Sequence, residues 1–359
     1  MNNRHFDKII IGTSILCCIE AIFHFRRGKS VLMIDKQSQI GGAWAPLNLF
    51  GLVDVENAIH YFLPEQRALE FLQTKLGLEI VRSRDKYQLF KLPDGSLFKL
   101  RYDNSITRAL AQFMKASDKV SLFSRVARFL INCASPGPKS FYVAGGSPTM
   151  VSKIRQLIAE TDIEIMLSTS VKSVLIDSIS KKVDVECEKG MYSCCDLLIT
   201  HGTVLSQIKD TDVSIQITAK FHPRPAFHML FDDATKSVVK EAVFTTDTTV
   251  KYIHDITRMV RDAHLIEGKQ KLFVFALHSN VTNHEKLKEE LIKKLLWSGM
   301  ISHSATLRNS QWSDIYLPTL DDEDLKKLAS VSQSCIKTLQ TENFTNCIGE
   351  NAERWNTVF

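Results

Sequence analysis

Residues 8–46 read KIIIGTSILCCIEAIFHFRRGKSVLMIDKQSQIGGAWAP, and this stretch decides the fold class. The run KIIIG is rich in β-branched residues and ends in glycine, which is typical of a buried parallel strand. From Ser14 to Arg27 the apolar residues suit a largely buried helix, Gly28 ends that helix, and SVLMID is a second buried strand. The stretch therefore predicts a strand–helix–strand unit.

The turn between the first strand and the helix carries a single glycine. At such a turn, backbone N–H groups and the helix dipole can face a pyrophosphate, and three glycines usually serve the turn, the phosphate approach and close packing. Gly12 takes the first role, while the small residues Ser14 and Cys17 stand at the other two places. Asp35 ends the second strand 23 positions after Gly12, where an acid that binds ribose hydroxyls is expected. A dinucleotide site and a generic strand–helix–strand unit both remain open at this point.

The composition is that of an ordinary globular protein. With 359 residues the chain can form two domains, or one large fold with an insertion, and 44% of the residues are hydrophobic and 24% charged. The formal net charge is only +5, and the basic residues are spread along the chain, which argues against nucleic acid as a partner.

Cysteines, histidines and apolar runs exclude several other classes. The eight cysteines have no CxxC spacing, which predicts reduced structural thiols, and the eleven histidines have neither HxH nor HExxH spacing, so no metal site is predicted. No apolar run reaches the roughly 18 residues of a spanning helix, and MNNRHFDK leads into the first strand without a signal-peptide core. We therefore expect a soluble, cytoplasmic protein, with a homodimer left open.

The remaining chain alternates between helical and strand patterns. Residues 64–76 and 283–296 predict amphipathic helices, as do 321–339, and parts of 104–132 are also helical. Residues 87–100 predict a hairpin around Asp94-Gly95, and 132–140 a loop. From residue 141 a loop and helix precede three strands, and residues 215–280 are strand-rich.

Two further segments suggest polar sites. HDITRMVRDAH (254–264) places His254, Arg258 and Arg261 near one face if it is helical, which favours a solvated face over a phosphate-binding patch. KFHPRPAFHMLF (220–231) holds Arg224 between two prolines, which favours an edge strand over a pocket wall.

The string IIIG…VLMIDKQSQIGGAWAP resembles the N-terminal FAD fingerprint of amine-oxidase-like flavoproteins. That group includes protoporphyrinogen and phytoene oxidoreductases, UDP-galactopyranose mutases and Rab GDP-dissociation inhibitors. The acid, the basic residue and the double glycine of the fingerprint are matched by Asp35, Lys36, Gly41 and Gly42. Ala43 and Trp44 stand where an arginine is usual. The resemblance implies that Gly12, Thr13, Ser14, Asp35, Lys36, Gly41, Gly42, Ala43 and Trp44 contact FAD.

GLVDVENAIHYFLP (51–64) is similar to the strand of this family that runs beside the flavin ring. Asp54 and His60 match its pattern, whereas Asn57 stands where glycine is usual. The resemblance implies that His60 lies near the flavin, and the alternative is a histidine without a role at the end of a strand.

A second block, from VAGGSPTMVSKIRQLI to DLLITHG, is similar to the family's next cofactor segment, in which the backbone of Val171 would meet the adenine. The family normally finishes with a GD or GE segment whose acid binds the ribitol. Here Gly349-Glu350 is the match, and the remainder of that segment is missing.

The resemblance implies an α/β fold with a Rossmann-like FAD-binding domain (GR2-type) and an interleaved α+β substrate domain. The FAD-binding domain would comprise 1–60, 139–206 and 321–359, and the substrate domain 61–138 and 207–320. The implied function is an FAD-dependent oxidoreductase that transfers hydride from a small organic substrate to flavin N5. The alternatives are a non-redox mutase, with paired arginines on a diphosphate, and a binding protein without FAD, like the GDP-dissociation inhibitors and Rab escort proteins.

Overall fold

The computed structural model describes most of the chain. The described residues are 4–58, 60–83, 86–91, 96–101, 105–106, 109–110, 113, 121–134, 140–177, 179–200, 205–210, 213–217, 220–234, 239–244, 247–260, 269–279, 281–319, 322–330, 335–339 and 344–359.

The described part of the chain contains the following helices and strands. The helices are α1 (Ile15–Phe25), α2 (Gln66–Thr74), α3 (Leu122–Ala134), α4 (Gly146–Ala159), α5 (His284–Ser298), α6 (Asp322–Ser330) and α7 (Phe344–Asn356). The strands are β1 (Arg4–Ile11), β2 (Val31–Ile34), β3 (Leu47–Leu49), β4 (Leu52–Val55), β5 (Ile80–Arg82), β6 (Lys86–Lys91), β7 (Leu97–Arg101), β8 (Phe141–Val143), β9 (Glu164–Met166), β10 (Val171–Asp177), β11 (Lys182–Cys187), β12 (Gly190–Thr200), β13 (Leu205–Asp210), β14 (Val213–Ile217), β15 (Lys220–Asp232), β16 (Glu241–Phe244), β17 (Val250–Asp255), β18 (Lys271–Leu277), β19 (Thr306–Thr319) and β20 (Ile336–Leu339).

The first sheet confirms the predicted strand–helix–strand unit. Its strand order is β14-β13-β10-β11-β12-β1-β2-β9, with β20 also paired to β12. β12, β1, β2 and β9 run parallel, and α1 connects β1 to β2. Ile15 to His24 are all buried in α1, since the helix packs against the sheet on one side and against α4 and α7 on others.

A buried glutamate fixes the last helix, α7, onto α1. The side chain of Glu20 is 5% exposed and accepts hydrogen bonds from Arg354 (2.9 and 2.5 Å) and from the indole N–H of Trp355 (2.8 Å). His24, one turn along α1, lies 3.0 Å from the same carboxylate. Burial alone would raise the pKa of Glu20, but the hydrogen bonds from His24, Arg354 and Trp355 outweigh it and lower that pKa.

The second sheet interleaves with the first along the chain. Its order is β19-β15-β18-β17-β16-β6-β7, so it draws on residues 86–101 and on 220–319. The predicted hairpin is confirmed as β6 and β7, although Asp94-Gly95 lies outside the described residues. The first sheet extends to Ile217, whereas the sequence prediction ended its central part at residue 206.

Three predictions from sequence pattern are wrong. Residues 336–339 form β20 rather than a continuation of α6, because they add a parallel strand beside β12. His254 lies on β17 and Arg258 in a short 3₁₀ turn, so they share no helical face, and Arg261 lies outside the described residues. β15 is an interior strand between β18 and β19 despite its two prolines, and the side chain of Arg224 is not among those described.

Among the described residues, no helix combines the length and the apolar character needed to cross a membrane.

Candidate functional site

The predicted cofactor residues of the first unit meet at one edge of the first sheet, where β1 and β2 end. Gly12 follows β1 with φ of +116°, a conformation that L side chains rarely adopt. A Cβ at Gly12 would also lie 2.8 Å from the hydroxyl oxygen of Thr200, on the neighbouring strand β12. The turn therefore requires glycine at this position for both reasons.

Asp35 is tied to this turn by three hydrogen bonds. Its Oδ2 accepts from the backbone N–H of Thr13 (2.7 Å) and from the hydroxyl of Thr13 (2.6 Å), and its Oδ1 accepts from the backbone N–H of Gln37 (2.9 Å). A carboxylate offers about four acceptor positions, so one position on Oδ1 is left for a ligand hydroxyl. Lys36, the next residue, is exposed.

The N-terminus of α1 begins beside this carboxylate. Ser14 is the N-cap, and its hydroxyl oxygen accepts from the backbone N–H of Cys17 at 3.4 Å. Cys17 is fully buried in the apolar core beneath the helix, so a small side chain fits where the glycine pattern asks for close packing. Burial raises the pKa of the Cys17 thiol to about 12, so it stays protonated at neutral pH.

The second predicted block lies next to the first. The backbone N–H of Thr169 donates to the carbonyl of Asp35 (2.9 Å), and that of Ser168 donates to the carbonyl of Gln37 (2.8 Å). Two residues further on, Val171 begins β10, and its half-buried side chain packs on the apolar core of the first sheet. Gly12, Thr13, Asp35 and residues 168–171 are therefore neighbours in space.

The turn at Gly41-Gly42 packs directly on the start of α1. The backbone N–H of Gly41 donates to the carbonyl of Thr13 (2.8 Å), and Ser14 and Gly41 form a parallel bridge. A Cβ at Gly42 would lie 3.2 Å from Ser14, and both glycines have positive φ, at 124° and 59°. The double glycine thus permits a close approach between two chain segments.

Trp44 belongs to an aromatic group that joins three parts of the chain. Its ring centroid lies 4.2 Å from His60, 4.7 Å from Phe344 at the start of α7, and 5.6 Å from Phe62. The Phe62 and Phe344 rings are also stacked, at 5.7 Å. These contacts fill the place beside His60 with the protein's own ring.

His60 uses both ring nitrogens within the protein. Nδ1 lies 2.6 Å from a carboxylate oxygen of Glu56, and Nε2 lies 3.2 Å from the carbonyl oxygen of Ala43. The side-chain amide of Asn57 donates to the carbonyls of Ala43 (2.9 Å) and Ala45 (2.7 Å). The two departures from the family pattern, Trp44 and Asn57, thus act together: one stacks on His60, and the other holds the backbone on both sides of Trp44.

Gly349 and Glu350 lie within α7 rather than in a turn before a helix. A Cβ at Gly349 would lie 2.4 Å from the carboxylate of Glu65, the N-cap of α2, so this glycine permits two helices to pack closely. Glu350 is exposed. The segment that links β20 to α7, residues 340–343, lies outside the described residues.

These residues fit one half of FAD better than the other. The glycine turn, the helix N-terminus and the remaining acceptor position of Asp35 have the chemistry that an adenosine diphosphate group requires. The residues predicted to lie beside the flavin ring fit less well, because a flavin hydrogen-bonded to His60 would have to displace Glu56 or the Ala43 carbonyl. His60 is therefore built into the 43–60 segment, and a flavin ring would have to lie against other residues.

Glu56 connects this segment to the N-terminus of α4. Its carboxylate accepts from the backbone N–H of Ser147 at 2.5 Å, and the helix dipole favours the negative charge there. A Cβ at Gly146 would lie 2.2 Å from that carboxylate, which explains the glycine. The backbone carbonyl of Glu56 accepts from Nε2 of His228 (3.1 Å) on β15, so the segment after β4 is tied to the second sheet here.

A small cavity lies between Glu56 and the second sheet. Its volume is about 10 Å³, which is room for one water molecule. The hydroxyl of Ser147 lines it and is buried without a hydrogen-bond partner. The described lining residues are Trp44, Glu56, Ala58, His60, Tyr61, Tyr142, Val143, Gly146, Ser147, His254, Ile256 and Met259, and they include no arginine.

One wall of the cavity belongs to a chain of buried polar groups. Nδ1 of His254 lies 2.8 Å from the hydroxyl of Tyr61, which lies 2.5 Å from the hydroxyl of Tyr252, which lies 2.7 Å from Oε2 of Glu241. The hydroxyl of Ser83 also donates to Glu241 (2.9 Å). We call His254, Tyr61, Tyr252 and Glu241 the polar chain.

Strand pairing sets the positions of the charged members. Glu241 on β16 pairs with Lys86 on β6 and with His254 on β17, so the three side chains lie side by side across three strands. The ammonium of Lys86 lies 4.5 Å from the ring centroid of Tyr61 and 4.9 Å from that of Tyr252. A cation in this position stabilises negative charge on the chain.

Burial dominates the pKa values of these groups. It raises the pKa of Tyr61 and of Tyr252 well above the usual value of 10, with a further rise from the charge of Glu241. It lowers the pKa of His254, against the opposing charges of Glu241 and Asp255, and it lowers the pKa of Lys86. His254 is therefore a neutral base at pH 7, and both tyrosines carry their protons.

The sequence analysis did not identify the polar chain. Tyr61, Glu241 and Tyr252 come from segments that are up to 191 residues apart, so no spacing links them. The one available signal is the alternation of Tyr252 and His254 on a strand, which puts both side chains on the same face.

The comparisons with known proteins find similarity only among solved structures. No family model matches the chain, and no curated protein matches it. A protoporphyrinogen oxidase-like protein from Exiguobacterium sp. 255-15 matches with a TM-score of 0.65 and 10% identity, over 100% of this chain and 99% of that one. Putrescine oxidase bound to putrescine matches with a TM-score of 0.60 and 11% identity, over 99% of this chain and 100% of that one.

A binding protein shares the fold as well. Rab GDI from Plasmodium falciparum matches with a TM-score of 0.55 and 13% identity, over 98% of this chain and 96% of that one. The chain therefore shares its fold with these proteins, and the predicted fold class is confirmed. Because both oxidases and a GDP-dissociation inhibitor have this fold, the function must be argued from the site.

Proposed function

We propose that the protein is an FAD-dependent oxidoreductase that acts on a small organic substrate. The observation that carries the proposal is the edge of the first sheet, where the Gly12 turn, the N-terminus of α1, Asp35 and residues 168–171 are neighbours. These four parts have the chemistry that holds an adenosine diphosphate group, although they come from two distant segments of the chain.

Each part of FAD would be held by different residues. The N-terminus of α1 at Ser14 would face the diphosphate, Asp35 would take a ribose hydroxyl, and the backbone near Val171 would meet the adenine. When bound, FAD supplies a hydride acceptor. The cavity at Ser147 and His254 has room for one water molecule, and its wall holds a neutral base, so a substrate on this side would meet the base through that water.

The test is the uptake of FAD by the purified protein. We expect an absorbance band near 450 nm that remains after free FAD is removed, and we expect candidate substrates to bleach it without oxygen. The matched variants are Ser14→Asp and Ser14→Asn, which are similar in size and are both good N-caps. Ser14→Asp adds a negative charge that repels a diphosphate, so it should weaken FAD binding at least tenfold more than Ser14→Asn.

Two outcomes would contradict the proposal. If the protein stays colourless at high FAD concentration, FAD is not its cofactor. If the two Ser14 variants bind FAD equally well, the diphosphate does not lie at Ser14. Circular dichroism of both variants verifies that α1 still folds.

A binding protein without FAD is the second candidate. It is favoured by the packing of Trp44 against His60, Phe62 and Phe344, which fills the place beside His60. In that case FAD should neither bind nor quench tryptophan fluorescence. The mutase alternative lacks this kind of support, since the described lining of the cavity includes no arginine.

A further inference from the structure

The number of protons in the polar chain fixes how its hydrogen bonds are directed. Three hydrogen-bond contacts link His254, Tyr61, Tyr252 and Glu241 in series, and each contact needs one proton between its two atoms. Glu241 also faces the other two groups directly: its Oε1 lies 3.8 Å from Nδ1 of His254, and its carboxylate raises the pKa of Tyr61. Each tyrosine has only one proton, so Tyr252 cannot donate to both Tyr61 and Glu241. With Glu241 ionised, Tyr252 donates to Glu241, Tyr61 donates to Tyr252, and the third proton must come from Nδ1 of His254.

This arrangement determines the tautomer of His254. Because burial keeps its ring neutral, a proton on Nδ1 leaves Nε2 with a free lone pair. Among the described residues no hydrogen-bond partner is found for Nε2, and the ring lines the cavity. The buried chain thus holds the imidazole in the form that can accept a proton.

We propose that His254 is the base of this site and that the polar chain passes the accepted proton to Glu241. This role rests on the proposed function, whereas the tautomer does not. In the step, the water molecule for which the cavity has room gives a proton to Nε2 and takes one from a bound substrate. The proton on Nδ1 moves to Tyr61, that of Tyr61 moves to Tyr252, and that of Tyr252 moves to Glu241.

The proton count balances at every atom. Before the step Glu241 is a carboxylate, both tyrosines are neutral and His254 carries its proton on Nδ1. Afterwards Glu241 is a carboxylic acid, both tyrosines are neutral again and His254 carries its proton on Nε2. The buried imidazole is neutral in both states, so the cost of a buried imidazolium is avoided.

The surroundings favour a joint movement of the three protons. Burial disfavours a tyrosinate at Tyr61 or Tyr252, so no charged intermediate should accumulate. The ammonium of Lys86 faces both rings, and Ser83 donates to Glu241. Asp255 and Glu56 also act on His254, and their charges oppose the effect of burial.

The test is the tautomer of His254, read from its two ¹⁵N shifts in the protein without FAD. The signal is assigned by its loss in His254→Gln. We expect the proton on Nδ1 in the wild type. In the double variant Tyr252→Phe/Glu241→Leu both other acceptors of Tyr61 are removed, so Tyr61 should donate to Nδ1 and the histidine proton should move to Nε2.

A matched control keeps the experiment specific. Tyr142→Phe removes the hydroxyl of a tyrosine whose ring centroid lies 6.4 Å from that of His254 but leaves the three contacts of the chain in place, so the proton should stay on Nδ1. If the double variant does not fold, the wild-type tautomer alone decides, and a wild-type proton on Nε2 would overturn the proposal. In a folded double variant, an unchanged tautomer would overturn it as well.

A kinetic readout separates this inference from the proposed function. In protein that binds FAD, Tyr61→Phe removes the hydroxyl that faces Nδ1 of His254, so it should lower kcat by about 10²-fold or more with unchanged FAD affinity. A colourless protein with the expected tautomers would contradict the FAD cofactor but not the proton path. A yellow protein with unchanged kcat in Tyr61→Phe would contradict the proton path but not the cofactor.

Discussion

Two buried glutamates hold this molecule together in different ways. Glu20, between α1 and α7, is bonded by Arg354 and by the indole of Trp355, and Glu241, in the second sheet, is bonded by Tyr252 and Ser83. Both are nearly inaccessible, at 5% and 4% exposed. Similar burial therefore does not imply a similar role.

The difference lies in which donors can give up a proton. A guanidinium and an indole keep their protons at any physiological pH, so the hydrogen bonds around Glu20 have one arrangement and serve stability. Hydroxyl groups can donate in either direction, so the bonds around Glu241 have two arrangements that differ by one proton. A carboxylate surrounded by hydroxyls and a neutral histidine is thus suited to proton transfer.

The largest expected effect is the loss of the Glu20 contact. Arg354→Met removes both of its hydrogen bonds and leaves a buried carboxylate with fewer donors, so the free energy of unfolding should fall by about 3 kcal/mol. Urea denaturation followed by tryptophan fluorescence measures this loss, since Trp355 is fully buried there.

Arg67→Met is the matched control on the same helix pair. Arg67 and Glu353 link α2 to α7 at 3.4 Å, but both side chains are mostly exposed, so this variant should cost less than about 0.5 kcal/mol. Equal losses in the two variants would show that α7 is not held by the buried glutamate.

The first strand–helix–strand unit and the polar chain also differ in how well the sequence predicts them. Local periodicity predicted β1, α1 and β2, because each alone has a buried face, and the acid at Asp35 follows from the end of β2. The helix before Leu76 and the hairpin at residues 87–100 were predicted for the same reason. These parts of the fold depend on contacts within short stretches.

The polar chain could not be predicted in this way. Glu241 meets Lys86 and His254 only because β16 pairs with β6 on one side and with β17 on the other. The role of Trp44 likewise depends on its contacts with His60 and Phe344 and on the hydrogen bonds of Asn57. Matching a motif one residue at a time does not relate these residues to one another. Sheet topology, which one sequence does not reveal, decides both arrangements.

The second prediction concerns how the free energy of unfolding depends on pH. Burial lowers the pKa of His228, which bonds the backbone of Glu56, to about 4. The unfolded chain takes up this proton near pH 6.5, so stability is lost as the pH falls from about 6.5 to 4. At pH 5 the loss should be about 2 kcal/mol for this residue alone.

Glu20 should respond in a different range. Its pKa is lowered in the folded protein, so its contribution is intact above the ordinary glutamate pKa near 4.5 and is lost only as the pH falls further. Glu20 itself should therefore contribute no change between pH 7 and pH 5. Burial also lowers the pKa of His24 beside Glu20 and of His254, so urea denaturation at these two pH values isolates the contribution of His228 by comparison with a variant. His228→Gln should lose about 2 kcal/mol less than the wild type between these pH values, and an equal loss would contradict the assignment.

The smallest expected effect concerns the stability of the polar chain itself. Tyr252→Phe removes two hydroxyl contacts, but Glu241 keeps Ser83 and Tyr61 keeps His254. Because the remaining groups stay paired, the free energy of unfolding should fall by only about 1 kcal/mol, a third of the effect of Arg354→Met. Urea denaturation at pH 7 measures both variants under one condition. If Tyr252→Phe were as costly as Arg354→Met, the hydroxyls around Glu241 would serve stability as the donors around Glu20 do, and the distinction between the two glutamates would fail.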